Sequence, residues 1–175
     1  MQARNKQARN NQARNNVEAD DNGLLAQAAA LAGAVVAVAK HSGRWGTRQE
    51  FAALVAGLED AAAEYPDNPY VQRLLTPATR EQIAGFAERY GTPLKQSEVN
   101  DSKMAALNRC AQAAEWLEAN VSSQDGAEAK ASILNACRRV ASESKEGGFF
   151  TFAASNVDVI EQSVLDEIAR ALRAL

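Results

Sequence analysis

A chain of 175 residues with 46% hydrophobic and 6% aromatic residues has enough material for one domain with a real core. Much of the apolar content is alanine, the best helix former, and no alternating strand pattern bounded by turn signals occurs, which argues against a β architecture. The net charge of −3 is uneven: Arg4, Lys6, Arg9 and Arg14 stand without an acid in residues 1–16, leaving fifteen basic and twenty-two acidic residues, or −7, for the rest. An acidic body excludes broad nucleic-acid binding.

Residues 1–16 repeat a five-residue unit, MQARN, KQARN, NQARN. In a helix each repeat would advance about 140° beyond a full turn, so the arginines would spiral and form no basic stripe. Residues 1–22 are therefore expected to be a disordered, low-complexity basic arm, with residues 23–175 as the helical domain. The four cations Arg4, Lys6, Arg9 and Arg14 are the candidate contacts for an anionic surface.

An uncharged run from Gly23 to Ala39 follows, ending in Ala37-Val38-Ala39. It imitates a signal peptide, but Glu18, Asp20 and Asp21 sit where such a peptide is basic, and the run is short of the roughly 20 residues that span a bilayer. A buried helix from Leu24 to about Lys40 is the expectation, and a soluble, cytoplasmic protein without a transmembrane segment. Next, Thr47 and Glu50 read as a capping box, with Phe51, Leu54, Val55, Leu58, Ala62 and Tyr65 as the buried stripe and Pro66 as the stop. Asn68-Pro69 and Thr76-Pro77 each read as a cap followed by proline in the first helical position. The second of these helices should bury Ile83, Phe86 and Tyr90 and end at Gly91.

A long helix is expected over about 98–121, facing inward through Met104, Leu107, Ala111, Ala114, Leu117 and Val121. Asp125 and Glu128 read as the start of another, which buries Ile133, Leu134, Cys137, Val140 and Ala141. Cys110 and Cys137 read as small buried hydrophobes, with a disulfide or redox pair as the alternative. Two cysteines and one histidine do not make a structural zinc site. The last helix should start near Ser155 or Asn156, with Val157, Ile160, Val164, Ile168, Ala171 and Leu175 on one face. The sum is an all-α, single-domain helical bundle of about five to seven helices.

Two stretches share a plan. VVAVAKHSGRWGTRQEFAALVAGL and CRRVASESKEGGFFTFAASNVDVIEQSVLDEIARAL each give an alanine-bearing helix, a Gly-aromatic loop and an amphipathic helix with an early acid, Glu50 or Glu161. They predict two helical hairpins related by internal pseudo-symmetry. Through Val36, Ala37, Ala39, Gly43 and Glu50, and again Val140, Ala141, Gly147 and Glu161, the chain resembles the TerB-type domain of bacterial tellurite-resistance and stress proteins. The resemblance implies an all-helical pseudo-symmetric bundle with a stress-response role. It departs from that pattern at Ser42, which stands where the family has aspartate, and in its longer second loop.

The loop after Gly147 and Gly148 holds Phe149, Phe150 and Phe152. Either the rings clamp between hairpin helices, or at least one, Phe150, stays out for a partner. Trp45 in the first loop poses the same choice. The contact reading assigns Trp45, Phe149, Phe150 and Phe152 to a protein partner. Glu143, Glu146, Asp158 and Glu161 flank the second loop and offer oxygen-only ligands of the kind calcium or magnesium takes, which gives a small-ligand or divalent-metal-binding protein as the other reading. No cofactor is otherwise implied. His41 and Ser42 are adjacent and point about 100° apart on a helix, so they are no base–nucleophile pair. With no P-loop, Rossmann or EF-hand pattern either, a non-enzymatic role is the expectation.

Overall fold

In a computed structural model, residues 23–39, 43–143 and 159–174 are described with their side chains and residues 144–146 by backbone alone. Residues 1–22, 40–42, 147–158 and 175 lie outside the described set, and with them the proposed arm, His41, Phe149, Phe150, Phe152, Val157 and Leu175. The described chain is all α. Its helices are α1 (Leu24–Ala39), α2 (Gly43–Glu64), α3 (Pro69–Gln72), α4 (Pro77–Arg89), α5 (Gln96–Asn120), α6 (Ser123–Glu146) and α7 (Val159–Ala171). Among the described residues no helix is long and apolar enough to cross a membrane.

Helix α1 is the hub, packing against α2, α4, α5, α6 and α7. Its run of alanines, with Gly33, permits that. Ala28, Ala29, Ala30 and Ala32 are wholly buried, and Leu54 of α2 lies where a side chain on Gly33 would begin. Helix α2 runs antiparallel along α6. Gly57 meets Ala136, and further on Asn68 meets Asp125 and Glu128. Helices α5 and α6 are antiparallel as well, with Leu117 over Gly126. One end of the bundle therefore gathers the last turn of α1, the first turns of α2, α5 and α7 and the last turn of α6.

Local signals set most boundaries. Asn68 caps α3 by accepting from the amides of Tyr70 and Val71, and Pro69 follows in the first turn. The Thr76 hydroxyl accepts from the Thr79 amide to open α4, again before a proline. Glu98 folds back to accept from the Lys95 amide at 2.9 Å and opens α5.

Three expectations are corrected. Helix α2 begins at Gly43, not at Thr47, so Thr47 and Glu50 are no capping box but interior residues, 2% and 1% exposed. Tertiary packing overrides the local signal here: the Arg44 stem lies against Gly91 and anchors an extra turn. Helix α6 is capped by Ser122, whose hydroxyl accepts from the Asp125 amide at 3.1 Å, and the Asp125–Glu128 box does not form. On α5 the buried line is Ala106, Cys110, Ala113, Ala114 and Leu117, while Met104 points outward. Close approach to the alanines of α1 selects small side chains along much of this line, so the long Met104 side chain is turned out.

Candidate functional site: the end where α2 and α7 begin

The hairpins expected from the sequence are α1–α2 and α6–α7, and the helix ends that border them, the last turns of α1 and α6 and the first turns of α2 and α7, lie at the end described above. Helix α2 packs along α6 and α1 along α7, the two pairings that an exchange of hairpins would interchange. The matched positions are buried alike: Val36 and Val140 at 1% exposure, Ala37 and Ala141 inside the core, and Glu50 and Glu161 both at 1%.

Each second helix starts with large apolar side chains in water. Trp45, expected in a loop, stands in the first turn of α2 at 72% exposure. Val159 and Ile160 open α7 at 84% and 56%. Ile160 thereby departs from its expected inward place. The buried line of α7 is Glu161, Val164, Leu165, Ile168, Ala169 and Leu172, shifted by one residue. Ile160 instead joins Val35, Val38, Leu94 and Val99 around a cleft of about 370 Å³ between α1, α5 and α7.

The candidate residues fare differently. Phe149, Phe150, Phe152 and Asp158 lie outside the described residues, as do Arg4, Lys6, Arg9 and Arg14, and the Glu146 side chain is not described. Glu143 is half-buried late in α6, and Glu161 is buried early in α7. Calcium takes six to eight oxygen ligands. Among the described residues no three carboxylate, imidazole or thiol side chains gather as a metal site requires.

Cys110 and Cys137 are free thiols, both wholly buried between α5 and α6. Burial pushes the Cys110 thiol up to about 12. Burial, and next the neighbouring Cys110, push Cys137 up further. A thiol so far above neutral holds almost no thiolate, the reactive species. Neither cysteine is therefore expected to react with a disulfide reagent in the native protein at pH 8, while both react in denaturant. Counting released thiolate with and without guanidinium checks this, and fast native labelling would contradict it.

Compared with family models, curated proteins and solved structures, the chain matches none.

Sequence reasoning missed three charged side chains that the fold draws inward. Glu50 stands four before Leu54, Lys130 three before Ile133, and Glu161 three before Val164, so each falls on an apolar stripe. A charge on the buried stripe was the available signal.

Proposed function

We propose that this chain is a non-enzymatic bacterial interaction module, TerB-like and of the stress-response type. It works in the cytoplasm and grips a protein partner at the end where α2 and α7 begin. One observation supports the reading. In both hairpins the second helix lifts large apolar side chains into water, Trp45 in one and Val159 with Ile160 in the other, above a glutamate buried to 1%. Single exposed apolar residues are ordinary on a protein surface. Their recurrence at the start of the second helix of both hairpins, at one end of the bundle, is what favours a contact surface. Tryptophan is also the side chain most enriched at the energetic centre of interfaces.

Trp45→Ala separates contact from structure. At 72% exposure the ring contributes little packing, so the melting point should move by no more than about 2 °C. Affinity capture from a bacterial lysate, run in parallel on the full chain and on the variant, should lose its specific partner with the variant. A large fall in melting point with an unchanged set of partners would sink this reading and make Trp45 a structural residue.

A further inference from the structure

At the opposite end of the bundle, a second cleft of about 560 Å³ lies between the end of α5, the start of α6 and the segment after α7. That volume is in the range of small-molecule sites. Leu117, Val121 and Ala127 give it an apolar wall, and Glu118, Lys130 and Arg173 give it a charged one. Lys130 donates to Glu118 Oε1 at 2.8 Å, and Arg173 reaches Glu118 Oε2 at 2.5 Å and Glu115 Oε1 at 3.2 Å. Lys130 and Arg173 are thus the two cations of the lining, Glu118 is its anion, and Glu115 pairs with Arg173 from just outside it.

Two features of these cations go beyond an ordinary surface ion pair. Lys130 is only 8% exposed. An ammonium has three protons to donate, and among the described residues Lys130 spends one, on Glu118. Arg173 is the one described non-glycine residue with positive φ, at 50°. Its amide bonds the Arg170 carbonyl and the Ala174 amide bonds the Ala169 carbonyl, so it occupies the left-handed position that ends a helix and is usually glycine. A side chain held in an unfavourable backbone region points to a use for that side chain. Here the strained position turns the guanidinium into the cleft beside Lys130. Lys130 first, and Arg173 second, hold the Glu118 carboxyl below the usual carboxylate range, so the acid stays ionised and keeps both cations in place.

We propose that this cleft binds a small amphipathic monoanion, with its acid group on Lys130 and Arg173 and its hydrocarbon body against Leu117, Val121 and Ala127. The undonated protons of Lys130 and Arg173 receive the acid group, and the apolar wall takes the rest. Glu118 sets the spacing of the two cations and is a positioning residue.

Titration calorimetry of the full chain with decanoate, below its micellar range, tests this. One saturable site is expected. Decanol, with the same chain and no charge, should bind at least tenfold more weakly. Arg173→Gly should weaken decanoate at least tenfold while the melting point holds or rises, because glycine relieves the backbone. That split is one a merely structural arginine would not give. Ala127→Trp, at an exposed position, should fill the cleft and abolish binding without unfolding the chain. Lys130→Met should also weaken binding, and if it fails to fold the other two variants still decide. The proposal is overturned by no saturable heat at millimolar decanoate. It is equally overturned by equal affinity for decanol, or by unchanged binding in Arg173→Gly and Ala127→Trp.

Discussion

Gly57→Ala is expected to destabilise the protein by about 2 kcal/mol, net of the roughly 0.5–1 kcal/mol that alanine gains over glycine in a helix. A methyl group at Gly57 would start 2.9 Å from the Ala136 Cα and 3.2 Å from its Cβ. The obstacle is backbone and cannot rotate away, so α2 and α6 would have to separate along their contact. Gly33→Ala meets a different obstacle, the buried Leu54 side chain with atoms at 2.3 and 2.5 Å, and should cost about as much because the surrounding core leaves Leu54 no other place. Gly85→Ala is the control. Nothing lies within 4 Å of the new methyl on the exposed face of α4. It should therefore stabilise by up to about 1 kcal/mol through propensity alone. Denaturant unfolding of the three variants checks the order. If Gly57→Ala is neutral, the α2–α6 contact is looser than described.

Asn68→Ala is expected to cost about 2–3 kcal/mol, a large loss for a residue in a turn. Asn68 is 3% exposed and works in two directions. Its Oδ1 accepts from the amides of Tyr70 and Val71 at 3.0 and 3.2 Å, which caps α3. Its Nδ2 donates to the Asp125 carbonyl at 3.1 Å and to Glu128 Oε2 at 2.9 Å, which ties the turn to α6. Alanine removes the cap, worth about 1 kcal/mol, and strands an acceptor in a part-buried place. Asn68→Asp keeps the cap acceptor but loses the donor and sets a carboxylate against Glu128. It should destabilise at neutral pH to a similar or greater degree. If Asn68→Asp matches the parent in thermal melts, the link to α6 contributes nothing.

Caps and prolines made α3 and α4 legible from the sequence, because Asn68-Pro69 and Thr76-Pro77 act through their own neighbours. The all-α class followed from the alanine content and from helical spacing. What escaped was set by contacts distant in sequence. The extra turn before Thr47 depends on Arg44 meeting Gly91 of the α4–α5 turn. The facing of α5 depends on which side chains are small enough to meet α1, so Ala106 faces in while Met104 turns out. The matched glutamates were seen as a pattern, but their burial was not, because a helix start at Thr47 put Glu50 at an exposed cap. The charged wall of the second cleft was invisible, since Glu118, Lys130 and Arg173 belong to three separate segments.

The position of α1 also bears on how the chain comes off the ribosome. Its sixteen residues contain no charge, and most are buried by α5, α6 and α7 in the finished bundle. Those helices begin only at Gln96. At elongation rates of about 5–20 residues per second, α1 waits roughly 3–11 s before the first of them is synthesised. In that interval α2 and α4 offer it partial cover, and the remaining faces are bare apolar surface. A chaperone that reads short uncharged apolar stretches would find its binding site there. A nascent chain stalled before α5 would be the form of this protein most prone to aggregate.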